Sequence, residues 1–499
     1  MTIHRRHFLK ASGVLGLALT GCGPDATLVS ADDFGGDELA YDESELTASF
    51  TLDNTIFPLG VMAGDVLPHR AVVWTKVDTS SLEPIRLRVY KENADGTRTR
   101  VHGAPLEATE ISDAGFVHVD VTDLEPNTRY AYRFLIDPGA QNKKYRVSHT
   151  GFFRTALANG SRGTFSFAGI CCTNPVTGER DEFKVLNDAS RRSDLAFMLH
   201  IGDHVYADHA KTREEYRTVY ERQWNRRGMK NLHKSVAHWE MWDDHEVDNN
   251  WNVETISDAR LRAARGAAFE HRPLRRNAED PNRWYRSFKQ GDSAEFFLLD
   301  VRSERLASTR GNAMSDNPPE QFISMAQLRW LKEGLRNSTA VFKFIVTPQP
   351  ITNWPNSDAD RWDGYRHQRA DLCDFILSRG KFEERGLTGA QRRGIFFLGG
   401  DVHMGSIGHL DAPGGAFHSL REVVIGPGGA ANPSERVGSL QRNHTGPREQ
   451  FQFVTGRNNY TVLTVNPDAT GRGGKLTIRY VGVLGSEDRD VFHEQVFEV

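Results

Sequence analysis

The chain holds 499 residues, 38% hydrophobic and 26% charged, enough apolar side chain for about two or three packed domains. A formal net charge of -4 and a sequence pI near 6.6 exclude the basic excess that would make nucleic acid a natural partner. Beyond the N-terminal segment there is no apolar run of about eighteen residues, so no further membrane span is expected.

Residues 1–22 have the layout of an export signal. Arg5 and Arg6 precede Phe8, Leu9 and Lys10, and an apolar run from Val14 to Leu19 follows, too short to span as a mature helix. The paired arginines point to the twin-arginine export machinery, which moves folded proteins and suits those that acquire a metal first. Leu19-Thr20-Gly21-Cys22 resembles a lipoprotein processing site, so Cys22 is expected to carry the lipid that anchors the protein to a membrane, in the periplasm or at the cell surface. The alternative is a plain signal peptide cleaved nearby. Residues 23–50, with Asp32, Asp33, Asp37, Glu38, Asp42, Glu43 and Glu45, read as a disordered acidic tether.

Over residues 51–156 short alternating runs are separated by turn residues: Ala71 to Thr75, Ile85 to Tyr90, Phe116 to Val121 and Arg129 to Leu135. This spacing predicts a small β-sandwich. Leu124-Glu125-Pro126-Asn127-Thr128-Arg129-Tyr130 resembles the turn before a late strand in fibronectin type III-like domains, which gives Tyr130 a structural role. No group of acids, bases or metal ligands gathers here, so the segment reads as a scaffold or a wall of the active site.

Residues 157–499 change character. Apolar runs end in polar residues at Phe165 to Ile170, Leu195 to Ile201, Phe296 to Leu299 and Ile395 to Leu398. Helical segments lie between them, at Thr212 to Arg227, Ser257 to His271 and Met325 to Arg336. The alternation predicts α/β layers, with a site where loops leave the carboxyl ends of strands. The late runs Tyr460 to Val465, Lys475 to Val483 and Val491 to Val499 are expected to close a second sheet.

Three strand-end loops carry chemistry. Gly202-Asp203-His204-Val205-Tyr206 lets Asp203 turn back over its strand, where a carboxylate can bridge two cations. Trp242-Asp243-Asp244-His245-Glu246-Val247-Asp248-Asn249-Asn250 crowds like charges that cations or exposure must relieve. Gly399-Gly400-Asp401-Val402-His403 sets two ligands two residues apart. Oxygen donors suit calcium or manganese, while imidazole and phenolate extend the choice to iron or zinc. Each loop alone is an ordinary turn; their order along one α/β region is what gives them weight.

Together the loops resemble the ordered motifs of calcineurin-like metallophosphoesterases, with Tyr206 where the common pattern has a second Asp, and Asp244 and Asp401 where it has Asn and His. That variant resembles the alkaline phosphatase D (PhoD) family. The likeness extends to Phe57-Pro58-Leu59-Gly60-Val61, Gly64-Asp65, Val73-Trp74-Thr75, Tyr285-Arg286-Ser287-Phe288, Leu299-Asp300-Val301-Arg302 and Trp362-Asp363-Gly364-Tyr365. It implies a two-sheet sandwich flanked by helices after a fibronectin III-like β-sandwich. The implied activity is hydrolysis of phosphate monoesters and diesters with Fe3+ and Ca2+, zinc or manganese being compatible.

By this resemblance Asp203 bridges the ions, and Tyr206, His403 and a cysteine after the first strand hold iron. Asp401 and Asn249 or Asn250 stand toward calcium, and Asp244 is a further metal ligand. Cys171-Cys172 replaces a small residue followed by one cysteine, and Cys171 is preferred as the ligand, with a bridge to Cys373 as the alternative use of either thiol. His245, beside Asp244, is expected to contact the phosphoryl oxygen or protonate the leaving group; Asp244 and Asp203 complete the catalytic set. Arg286 and Arg302 are expected to pair with carboxylates. No Gly-x-Ser-x-Gly elbow supports a serine hydrolase. The rival from another class is a lipid-anchored phosphate- or glycan-binding protein without catalysis.

Overall fold

A strand with apolar side chains on both faces needs burial on both, and Leu195–Ile201, apolar but for His200, is buried along its whole length. It lies at the centre of an α/β assembly in the computed structural model, which describes residues 26–28, 49–79, 84–107, 110–136, 144–174, 184–308, 321–354, 360–379, 386–430, 449–484 and 488–499. The proposed signal, including Arg5, Arg6 and Cys22, lies outside the described residues.

Two sheets pack face to face. The first has nine strands, with Phe165–Ile170, Leu195–Ile201 and His238–Met241 parallel at its centre. The second has seven, and Ala294–Leu298, Phe342–Val346, Ile395–Gly399 and Arg421–Val424 run parallel within it. Phenylalanines fill the space between: Phe167 meets Phe296 and Phe344 edge-on at 5.0 and 5.6 Å, and Phe197 meets Phe296 at 5.4 Å. Helices start where the sequence offers caps. Thr212 and Glu215 form a capping box ahead of Arg213–Trp224, and Ser257 and Ser324 cap Asp258–Glu270 and Met325–Asn337.

The C-terminal strands depart from expectation. Tyr460–Pro467, Gly474–Leu484 and Asp488–Glu498 extend the first sheet instead of closing the second. Phe165–Ile170 has a parallel neighbour on one side only, and Tyr460–Pro467 pairs antiparallel with its other edge, satisfying backbone groups that would otherwise stay open. Tyr480 still reaches the second sheet, donating to the Ser406 and Val424 carbonyls at 2.7 and 2.8 Å.

The N-terminal sandwich shares a sheet with the catalytic region. Val61–Leu67, Arg70–Lys76 and Phe116–Val121 continue the nine-stranded sheet through His238 opposite Gly64. A Cβ at Gly64 would stand 2.8 Å from the His238 carbonyl oxygen, so only glycine permits the approach. The facing sheet is built on Arg129–Ile136, Ile85–Glu92 and their neighbours. Tyr130 is buried and its hydroxyl accepts from the Glu125 N–H at 2.8 Å, a structural corner. Within the stretch expected to be a tether, the uncharged residues Ala26–Leu28 form a strand against Ser49–Asp53.

Candidate metal centre

The central strands of both sheets end on the same side, and their following loops meet there. Left-handed backbone recurs in these loops: φ is 49° at Cys172, 57° at Asp203, 54° at Asn250, 63° at Asp401 and 54° at His403. Such conformations are costly for non-glycine residues and concentrate where side-chain direction matters. Gly202, at φ 111°, lies so close to Asp243 that a Cβ would stand 2.8 Å from the Asp243 Cβ.

Asp203 is at the middle. Its Oδ2 lies 3.4 Å from both Cys172 Sγ and the Tyr206 hydroxyl, and that hydroxyl is 3.2 Å from His403 Nε2. Ligand atoms of Cys172, Asp203 and His403 fall within 4.8 Å of one another; so do those of Asp203, Asp244 and His245, and those of Asp243, Asp244 and Asp401. Asp203 and Asp244 are thus each shared between two such groups.

Two assignments change. Cys171 Sγ faces the Ile425 and Gly426 carbonyls at 3.4 and 3.7 Å, away from Asp203. The left-handed turn at Cys172 aims its own thiol at the cluster, with the Cys171 thiol beside it. All three described cysteines are free, and Cys373 is buried in the helix Arg366–Leu377. Asn249 and Asn250 are both exposed, and Asn250 donates its backbone N–H to Asp244 Oδ2 at 2.8 Å, with its amide nitrogen 3.1 Å from the same oxygen. Of the two amides, Asn250 is the one that lies against Asp244.

The acidic loop divides its work. Glu246 Oε2 accepts from the Asp243 and Asp203 N–H groups at 2.9 and 3.2 Å, and Oε1 accepts from the His204 N–H at 2.6 Å, fastening two loops together. Burial opposes its charge, but His204, Arg272 and these bonds hold Glu246 down at about 2. Asp248 pairs with Arg260 at 2.8 Å. Arg302 donates to Asp243 at 2.6 Å and to Asp360 at 3.0 and 2.8 Å, and Arg286 pairs with Asp65 at 3.0 Å. Both arginines are committed to carboxylates, as the sequence suggests.

What remains is negative and unsatisfied. Asp203 Oδ1, Asp243 Oδ2 and Asp244 Oδ1 are buried without a hydrogen-bond partner among the described residues. Burial, then the neighbouring Cys172, Asp244, Asp243 and Glu246, pushes the Asp203 carboxyl well above the usual range. Burial and Asp203 do the same to the Tyr206 phenol. Cations are the groups that relieve such crowding. His245 sits at the edge with Nδ1 on Asp208 at 2.7 Å; burial lowers its pKa, but Asp208 and Asp244 outweigh that and bring it to about 9.

Sequence reasoning missed Asp208, Asp360 and Arg361. Arg361 pairs with Asp401 Oδ2 at 3.0 Å, and Asp360 joins Arg302, Arg305 and Gln349. Asp208 had a signal, two residues beyond Tyr206 in the same loop; Asp360 and Arg361 follow no strand end and had none.

The fold and this cluster define a two-sheet α/β sandwich with an acidic, ligand-rich cluster where its strand-end loops meet. Over 93% of its length the chain is 27% identical to alkaline phosphatase D of Bacillus subtilis (strain 168), covering 83% of that protein. A solved structure of PhoD superposes with a TM-score of 0.72 at 23% identity, covering 89% of this chain and 90% of the other. A purple acid phosphatase from yellow lupin (Lupinus luteus) seeds shares the fold at a TM-score of 0.53 and 14% identity, over 88% of this chain and 73% of that one. The PhoD-like phosphatase model matches residues 167–471 and the model of the PhoD-like phosphatase N-terminal domain matches 43–157. The chain belongs to the PhoD-like phosphatase family and is a phosphoric ester hydrolase.

Proposed function

We propose that this phosphatase depends on bound metal, acts on phosphate monoesters, diesters or both, and works outside the cytoplasm after twin-arginine export, anchored through Cys22. The observation that carries the metal reading is the set of buried, unpartnered oxygens on Asp203, Asp243 and Asp244 beside Cys172, Tyr206 and His403.

The donors fit two kinds of ion. Cys172, Tyr206, His403 and Asp203 offer thiolate, phenolate, imidazole and carboxylate, a set suited to ferric iron. Asp203, Asp244, Asp401 and Asn250 offer oxygens suited to calcium. Zinc or manganese is compatible with the same atoms. When bound, such cations neutralise phosphoryl oxygens and acidify a water.

The chain's own groups do the rest. His245, with Nδ1 held by Asp208, keeps Nε2 for the substrate; the Asp208 contact favours its protonated form, which can donate to a phosphoryl oxygen or the leaving group. Arg302 holds the Asp243 and Asp360 segments in place. The test is hydrolysis of a generic phosphomonoester and diester by chelator-treated protein resupplied with iron and calcium singly and together. Turnover that returns with metal supports the reading; turnover indifferent to chelation contradicts it.

A further inference from the structure

Behind the Asp203 loop, on the face of the nine-stranded sheet covered by helices, lies a second set of ligand-type side chains that ester hydrolysis does not use. His238 and Glu240 are two residues apart on the strand His238–Met241 and so share a face, while Trp239 and Met241 enter the core between the sheets. His233 comes from the last turn of the helix Arg227–Ser235, and His204 follows Asp203 from the adjacent strand. All four are at most 2% exposed.

Ligand atoms of His233, His238 and Glu240 lie within 4.8 Å of one another, and His204 stands outside that set, joining it through Glu240. Glu240 Oε1 stands 3.6 Å from His238 Nδ1 and 3.6 Å from His204 Nε2. Among the described residues, His204 Nε2, His233 Nδ1, both ring nitrogens of His238 and both oxygens of Glu240 lack a hydrogen-bond partner. Arg272 Nε is 3.3 Å from Glu240 Oε2, in ion-pair range but not aligned for a hydrogen bond. Burying a polar atom without a partner is unfavourable, so six in one place call for an occupant.

The spacing indicates which. A separation of 3.6 Å is too long for a hydrogen bond. It is close to the ~3.3 Å edge of a tetrahedron drawn around an ion with bonds of about 2.0–2.1 Å. The second nitrogen of His204, Nδ1, lies between Glu246 Oε1 at 3.1 Å and Arg272 Nη2 at 3.2 Å; donation from Nδ1 to Glu246 gives the carboxylate–histidine pairing that orients metal-binding imidazoles. Burial keeps His233 and His238 neutral, His238 at about 4, which leaves ring lone pairs available. Glu240 and Glu246 both face Arg272 across this cluster.

We propose that His204, His233, His238 and Glu240 bind a divalent cation of the zinc class at a closed structural site, separate from the catalytic cluster. Four protein ligands leave no open position for substrate, so the ion's work is to tie the Arg227–Ser235 helix, the central sheet and the Asp203 loop together.

The test uses the full chain carrying Asp203→Ala, which disables the catalytic cluster, supplied with zinc and dialysed against metal-free buffer. About one zinc per chain is expected, with X-ray absorption at the zinc edge showing four nitrogen or oxygen neighbours, imidazole scattering and no sulfur. Adding His238→Ala, or separately His233→Gln, should drop zinc below about 0.2 per chain. No retained zinc, a sulfur neighbour, or retention unchanged in folded His238→Ala and His233→Gln protein overturns the proposal. The absorption spectrum decides it even where those variants do not fold.

Discussion

At the residue scale the adjacent cysteines are the sharpest case. They differ by one position along the chain, yet one thiol reaches Asp203 and the other packs against carbonyls of the second sheet. Cys172→Ala is therefore expected to lower turnover at least about 100-fold and to reduce bound metal. Cys171→Ala should cost about 1 kcal/mol of stability and leave turnover within about threefold. Metal analysis and steady-state kinetics of the two variants check this, and equal losses in both would remove the assignment. The sequence could not separate them, because alternation along a strand does not foretell the left-handed turn that sends Cys172 toward the site. Asn250 displaced Asn249 for the same reason. Asp203, Tyr206, Asp244, His245, Asp401 and His403, by contrast, were legible in three short loops, and the structure brings all six together.

Among the elements, the strand Phe116–Val121 was readable to the residue, because its apolar positions alternate and turn residues bound it. The destination of the C-terminal strands was not, since which edge a strand joins depends on what the rest of the sheet leaves open. The same sheet carries the join between sandwich and catalytic region, where Asp120 accepts a bidentate pair from Arg275 at 2.7 and 2.8 Å and is also bonded by Arg70. Burial alone would raise the Asp120 pKa, but the two arginines hold it below the ordinary value. A depressed carboxyl stabilises the fold above its unfolded pKa, near 3.9, and that contribution is lost as pH falls through the folded value. Asp120→Asn should thus cost about 1–2 kcal/mol at neutral pH and progressively less below about pH 4, as followed by denaturant melts across that range. A loss independent of pH would assign the effect to packing instead.

For the whole molecule, the sandwich and the two catalytic sheets form one continuous packing arrangement, because three sandwich strands extend the catalytic sheet and a shared apolar cluster runs from Leu87 and Tyr132 to Phe296 and Phe344. Among the described residues no helix is long and apolar enough to cross a membrane. In our proposal attachment runs through Cys22, and Cys22→Ser should abolish incorporation of labelled fatty acid and release the protein from the membrane fraction; unchanged incorporation would exclude the anchor.

The central claim is that ester hydrolysis runs through the carboxylate shared between the two donor sets. Its most direct measurement is kcat/KM for a phosphomonoester and a phosphodiester, for wild type and for the near-isosteric Asp203→Asn, both supplied with iron and calcium and both shown to be folded. A fall of about 1,000-fold or more for every ester the wild type cleaves, equivalent to ~4 kcal/mol of barrier, is expected. Turnover of the variant within about tenfold of wild type would place the chemistry elsewhere.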